Sequence, residues 1–433
     1  MTVLLIGTII LFLIVFLGLP LGFSLLVVGA GGFAILRGMT PALSMVSQQI
    51  LEVIMNTNFV VLPMFILMGA FIYRAAMADD LFEAANAWLG HFKGGLAMAS
   101  VAACGGFSAV SGSSLATVTT MAKVAIPSMR RHDYADSLSA GTIAAGGTLG
   151  ILLPPSAAMI IYGILTEQDI AALFAAGILP GLLTILLYII TIQILTSVWP
   201  KLGPRADRSN WRDRWIKLAR VWGILFLFTL IMAGISFGVF TPNEAGSIGA
   251  IGALLFAIAR RRMTMPIFVS SLIDAAKTTA MVFMIGIGAL VFNNFVTLSG
   301  LSGAVANWLQ TLPLSPMGVM MVIIFFYFLL GMLVDGMAMI FLTVPVIFPI
   351  VLALGMDPIW FGIVLVMVVE ISLITPPIGM NVFLLKSMMP GVSLRTIFTG
   401  IAPFLVADVL RLGVVLAFPG FVLYLPRLFY GYY

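Results

Sequence analysis

The sequence predicts an all-α polytopic membrane protein built from two repeated halves, and three observations carry that reading. Of its 433 residues, 62% are hydrophobic and 9% charged, with a mean hydropathy of +1.18, which excludes an ordinary water-soluble domain. Apolar runs of roughly 17 to 25 residues, the length of a spanning helix, follow one another almost end to end and give about a dozen spans or half-spans. Two double prolines, in the run from Leu149 to Ser156 and in that from Ile371 to Ile378, interrupt strongly apolar sequence at matching places.

Taken in order, Met1 to Leu19 lacks the basic start and small-residue cleavage site of a secretory signal and reads as the first membrane helix. The first half is expected over 1–200, with a hairpin at about 95–126 and a broken helix at about 138–163. A basic connector, 201–220, carries Lys201, Arg205, Arg208, Arg212, Arg214, Lys217 and Arg220 among Trp199, Trp211, Trp215 and Trp222, and supplies much of the formal charge of +5. In a soluble protein such a run suits nucleic acid; between two spans it reads as a cytoplasmic connector with tryptophans at headgroup depth, and no nucleic-acid partner is expected. The second half, 221–433, has a hairpin at about 317–354 and a broken helix at about 358–388.

The halves share more than prolines. Gly177–Pro180 matches Gly400–Pro403, and Pro20 stands as far before Pro154 as Pro242 stands before Pro376, which argues for duplication. Arg220 and the cluster Arg260-Arg261-Arg262 should both be cytoplasmic, with the Phe240–Glu244 turn outside. Inverted repeats would then place Pro20 on the cytoplasmic side; Arg37, facing outward, runs against the charge rule.

Each proline lacks an N–H, so the carbonyls of Gly150 and Ile151, and of Ser372 and Leu373, are expected to lose their helical partners and become free oxygens suited to a cation. Broken helices at matching places in two halves mark the binding site of many secondary transporters. The small hydroxyl run from Gly105 to Thr120 disfavours a smooth helix; it is either a re-entrant hairpin tip facing the first break or a close-packing seam. Gly331–Met337 stands in the corresponding place of the second half. Within it, Asp335 is a carboxylate among apolar residues, either functional or a helix end at the interface. Glu370 is either structural or part of an ion path. Asn293 and Asn294 could coordinate, bond substrate or pin helices, and Asn381, Thr343 and Thr117 belong to the same polar minority.

Enzyme signatures are missing. His91 and His132 lack metal-site spacing, no Walker loop or His-Glu-x-x-His run occurs, and Gly112-Ser113 has no histidine base to make a serine nucleophile. The single cysteine, Cys104, reads as a packing residue.

The runs Gly106–Ser114, Leu149–Ser156, Ala176–Gly181, Asn293–Phe295 and Thr375–Gly379, in this order and spacing, resemble the large membrane subunit of tripartite ATP-independent periplasmic (TRAP) transporters over essentially the whole chain. The resemblance implies an elevator-type secondary transporter of the bacterial inner membrane with a scaffold and a transport domain. It also implies a sodium gradient as driving force, a separate small four-helix membrane subunit, a periplasmic substrate-binding protein and a carboxylate substrate such as a sugar acid or dicarboxylate. Carried over residue by residue, one sodium site would use Ser108, Ser111, Gly150, Leu153 and Pro155, and the other Gly331, Ser372, Thr375 and Ile378. Ser113, Thr117, Asn293, Asp335 and Asn381 are the substrate candidates. The run Met121-Ala122-Lys123 departs from the family pattern by its lysine, read here as snorkelling to the interface. A stand-alone ion-coupled anion carrier and a passive channel are the alternatives; no charged ring or carbonyl-filter motif favours the channel.

Overall fold

Helix ends in this protein follow side-chain chemistry, and the computed structural model describes residues 2–431 except 76, 207, 302, 305–313, 333 and 378. The outer helices of the first half are α1 (Thr2–Phe16), α2 (Leu21–Arg37), α3 (Met39–Met55) and α4 (Val61–Arg74), followed by the amphipathic α5 (Met77–Leu89). Then come α6 (Gly95–Ser111), α7 (Ser114–Arg131), α8 (Asp136–Leu152), α9 (Ala157–Thr166) and α10 (Ile170–Val198). The middle of the chain forms α11 (Trp211–Arg220), α12 (Trp222–Ser236), α13 (Pro242–Ala259) and α14 (Met265–Leu298). The last six are α15 (Pro316–Gly331), α16 (Gly336–Ala353), α17 (Pro358–Ser372), α18 (Met380–Met388), α19 (Leu394–Ala417) and α20 (Pro419–Tyr430). Seven helical stretches among the described residues are long and apolar enough to cross a membrane, with α8 and α9 counted together. The pair α11 and α12, bent by 50°, makes an eighth. The chain is a multi-pass helical membrane protein.

Lipid tails are as apolar as leucine, so helices associate in a membrane by close packing rather than by escape from water. Small residues show where this happens. A Cβ on Gly22 would fall 2.7 Å from the Met284 carbonyl carbon, and one on Gly29 would fall 2.6 Å from the Phe292 Cα, so α2 and α14 touch at backbone level. Along with α3, α4, α12 and α13 they make one packed group. A second group surrounds α8, which lies against α6, α7, α10, α17 and α19. Nearly every residue of α8 and α17 is buried, and these are the two helices that run into the double prolines. Large apolar side chains such as Leu5, Ile9 and Leu13 on α1, and Leu43 and Leu51 on α3, are exposed, as a lipid-facing or subunit-facing surface requires.

The connector is more structured than a solvated loop. α11 lies on α5, with the Arg214 guanidinium, buried, 5.0 Å from the Trp211 ring and 5.8 Å from that of Trp88. Arg220 reaches Glu83 at 3.6 Å, while Arg260 pairs with Asp80 and donates to the Arg220 carbonyl. Both basic clusters therefore lie at one end of the α12–α13 pair. At the opposite turn Thr241 and Glu244 form a reciprocal capping box.

Candidate functional site

α6 stops at Gly112, which takes a left-handed conformation (φ 59°), and α7 starts again under the cap of Ser113, whose hydroxyl accepts from the Ala116 N–H at 3.4 Å. Thr117 donates to the Ser113 carbonyl at 2.9 Å and lies 3.1 Å from the Ser111 hydroxyl, so the tip is tied by its own side chains. This tip presses on the first proline break. A Cβ on Gly150 would fall 2.6 Å from the Ser113 carbonyl oxygen, and one on Gly112 would fall 2.8 Å from that of Pro155. In the other half, α15 ends at Gly331, where a Cβ would meet the Ser372 Cβ at 2.6 Å. Asp335 caps α16, accepting from the N–H groups of Met337 (3.1 Å) and Ala338 (3.4 Å), so the carboxylate singled out in the sequence stands at a helix start.

The breaks do not leave four free carbonyls. The Ser156 hydroxyl donates to the Ile151 carbonyl, the Thr375 N–H to that of Ser372 (3.3 Å), and the Asn381 N–H to that of Leu373 (3.2 Å). Three of the four carbonyls thus met donors from the turn or from the helix that restarts after it, a rearrangement no proline count reveals. Gly150 is the exception: Pro154 offers no N–H and the Leu153 N–H turns to Leu149 at 2.9 Å. In α6, the buried Ser108 hydroxyl has no partner among the described residues. Both Pro-Pro bonds are cis.

Two adjoining cavities open at these tips. The larger, about 200 Å³, lies between the tip residues Ser111–Ser113, the start of α9 and Met337 on one side and α4 and α14 on the other, where Tyr73 and Asp274 line it. The smaller, about 50 Å³, shares Gly112, Ser113 and Met337 and adds Asp335, Leu373 and Met380. The chain thus brings together Ser111, Ser113, Pro155 and Asp335 around these spaces, with Thr117 and Gly150 directly behind the tip. Leu153 is buried beside Gly181, where a Cβ would lie 2.9 Å from its Cγ. Ser372 and Thr375 spend their hydroxyl protons on the carbonyls of Val369 (2.6 Å) and Ile371 (2.7 Å). Asn381 is buried and donates to Ser114 at 2.7 Å, linking α18 to the first tip. Ile378 lies outside the described residues.

Asn293 lines neither cavity; along α14 it stands 11 residues past Val282, the last lining residue of that helix, about 16 Å at 1.5 Å per residue. Lys123 donates to the Tyr73 hydroxyl at 3.3 Å, so its exposed head sits by a cavity-lining side chain. Tyr73, and Asp274 with its ion-pair partner Arg74, were missed from sequence; the few charged groups in largely apolar helices, Arg74 in α4 and Asp274 and Lys277 in α14, were the available signal. Missed as well were Arg411, which pairs with Glu370, and Asp408, which pairs with Arg411, all three fully buried.

Comparison with known proteins agrees with this anatomy. The family model described as tripartite ATP-independent periplasmic transporter, DctM component, matches residues 8–421. The C4-dicarboxylate TRAP transporter large permease protein DctM of Pseudomonas aeruginosa is 36% identical over 401 residues, 92% of this chain and 93% of that protein. The sialic acid TRAP transporter large permease protein SiaM of Vibrio cholerae is 33% identical over 421 residues, 97% of each chain. Among solved structures, the Alcanivorax borkumensis YdaH transporter superposes with a TM-score of 0.61 at 16% identity, covering 89% of both chains, a likeness of fold. The relatives are transport permeases, and this chain belongs to the TRAP transporter family as a large permease component.

Proposed function

We propose that this chain imports a small carboxylate across the bacterial inner membrane, coupled to sodium entry, by an elevator motion of the group around α8 against the group of α2, α4 and α14. Its partners are a small four-helix membrane subunit and a periplasmic binding protein that delivers the substrate. The observation that carries this reading is the larger cavity, where the first tip and the first broken helix, with Met337 of the second tip, meet a wall from the other group. Four helices, α7, α9, α16 and α18, begin at the two cavities, and helix N-termini offer partial positive charge and unpaired N–H groups to an anion. The C4-dicarboxylate and sialic acid of the relatives' names are both carboxylates, which fits such a site.

The donor set suits sodium in the first half. The unpartnered Ser108 hydroxyl and the open Gly150 carbonyl are hard oxygen donors, and Ser111, Leu153 and Pro155 would complete the shell. In the second half the reading rests on Gly331, Ser372, Thr375 and Ile378; an oxygen engaged in one hydrogen bond still has a lone pair to offer. Of the substrate candidates, Ser113 and Asp335 line the cavities, and Thr117 and Asn381 hold the first tip in place. Sodium supplies the driving force: each net charge entering gains about 2.3 kcal/mol per 100 mV. Inverted repeats would account for two such sites facing one another.

The test is uptake into proteoliposomes holding this chain and its small subunit, with binding protein and labelled C4-dicarboxylate or sialic acid outside. Uptake should require both the binding protein and an inward sodium gradient. Uptake of free substrate by this polypeptide alone would replace the tripartite reading with a stand-alone carrier, and sodium-independent flux at channel rates would replace both with a pore.

A further inference from the structure

One cation of the basic connector is out of water. Between 201 and 220 the chain carries seven cations and two acids, Asp207 and Asp213, and of the cations Arg214 is only 4% exposed. Its guanidinium lies 5.0 Å from the Trp211 ring and 5.8 Å from that of Trp88. Trp215, with its ring 5.4 Å from that of Trp88, completes an aromatic cage. No described carboxylate pairs with Arg214. Nη2 reaches only His91 Nδ1, at 3.5 Å, and Nε is buried without a partner. A charged side chain is almost never buried unless it is paired, because an uncompensated buried charge is strongly unfavourable.

The surroundings add cations rather than acids. The Gly94 N–H donates to the Gly203 carbonyl (2.9 Å) and the Ala206 N–H to the Gly90 carbonyl (3.1 Å), so the chain at His91 and Lys93 runs alongside the chain at Arg205 and Arg208. Desolvation first, then the positive charges of Arg214, Arg208 and Arg205, hold the His91 imidazole below its ordinary pKa. Three guanidiniums thus bear on an imidazole that cannot balance them. On α11, Arg212, Trp215, Ile216 and Ala219 recur at helical spacing and are all exposed. Basic side chains and tryptophan on a short helix bent 50° from the apolar α12 suit a helix lying in the membrane interface.

We propose that the cage around Arg214 binds the phosphate of an anionic phospholipid headgroup, with exposed Trp211, Trp215 and Ile216 covered by the upper part of its acyl chains. A guanidinium is shaped for two-pronged contact with phosphate, and runs of Lys and Arg beside a spanning helix attract anionic lipid. A lipid fits better than a soluble anion because the orphaned charge and the exposed rings share one helix. A headgroup supplies the anion while its chains cover the rings, which inorganic phosphate would leave in water. α5 packs on α6 as well as on α11, so a headgroup held here braces the first arm of the first hairpin.

The test is native mass spectrometry of the full-length chain in neutral detergent, titrated with phosphatidylglycerol, with phosphatidylcholine of the same acyl chains, and with inorganic phosphate. Phosphatidylcholine carries the same phosphate beside a cation that the surrounding guanidiniums repel. Phosphatidylglycerol should therefore bind about fivefold more tightly, the worth of one basic side chain at a lipid surface. The preference should persist in about 1 M ammonium acetate, since buried pairs are screened far less than exposed ones, and Arg214→Gln should erase it. Equal binding of the two lipids to the unmodified protein would overturn the proposal without recourse to any variant. A preference that survives Arg214→Gln, or that vanishes in high salt, would reduce it to diffuse attraction by the exposed cations. Inorganic phosphate binding as tightly as phosphatidylglycerol would make the site one for a soluble anion, and lipid displaced by the small membrane subunit would give the patch to that protein. The measurement needs no transport, so its outcome stands apart from that of the uptake assay.

Discussion

The two proline breaks are spelled alike and wired differently. In the first, α9 restarts under the Ser156 hydroxyl, which accepts from the Met159 N–H at 3.4 Å and closes on the Ile151 carbonyl. In the second, α18 restarts from Gly379 in a left-handed conformation (φ 59°) with no side-chain cap, and the Asn381 N–H returns to the Leu373 carbonyl. The hairpin tips differ in the opposite sense: neutral Ser113 caps the first and charged Asp335 the second. A duplicated motif thus fixes where the helix breaks, while neighbouring side chains decide which oxygens stay open. The first break keeps an open backbone carbonyl, and the second offers hydroxyls, with the Asp335 carboxylate at the neighbouring tip.

The strongest way to break this contrast is Gly150→Ala. A methyl 2.6 Å from the Ser113 carbonyl must push the tip away. Overpacking of this kind costs about 1–3 kcal/mol, and sodium-dependent uptake should be lost while the protein still reaches the membrane; unchanged uptake would show that the tip contact is dispensable. Asp335→Ala comes next, with a lost cap of about 0.5–2 kcal/mol by thermal unfolding and loss of uptake. Asp335→Asn sharpens the comparison: asparagine caps equally well, so restored stability without restored uptake assigns function to the charge, and restored uptake assigns it to the cap. Ser156→Ala should cost about 1 kcal/mol and weaken sodium affinity at the first site only. Smallest is Asn381→Ala, which removes the 2.7 Å bond to Ser114; about 0.5–1.5 kcal/mol is expected, read as a lower unfolding temperature with uptake reduced rather than abolished.

Much of the fold was legible because hydropathy and proline are local signals. The apolar runs announced a multi-pass helical protein, and the double prolines announced the ends of α8 and α17. Ser111, Ser113, Pro155 and Asp335, named from sequence, line the two cavities. What stayed hidden depends on partners distant in sequence. The carbonyls of Ser372 and Leu373 were expected to be free because sequence shows which N–H is removed but not which one turns to replace it. Asn293 looked polar enough for a site, yet α14 carries it away from both cavities. Glu370 gave no sign of its partners, since Thr148, which faces it, stands more than two hundred residues earlier. Asp408 and Arg411 stand one turn apart in an apolar helix, a pairing that sequence alone already displays.

The length of α14 ties this protein to the thickness of its bilayer. Its 34 residues span about 51 Å at 1.5 Å each, against a hydrocarbon core of about 30 Å. Such a helix must tilt steeply or project into the headgroups, and through its backbone-level contact α2 must follow. Lipids with longer or shorter acyl chains would change that tilt, and with it the angle of the cavity wall that Asp274 and Thr278 provide. Acyl-chain length then becomes a setting of the site itself, imposed from outside the polypeptide.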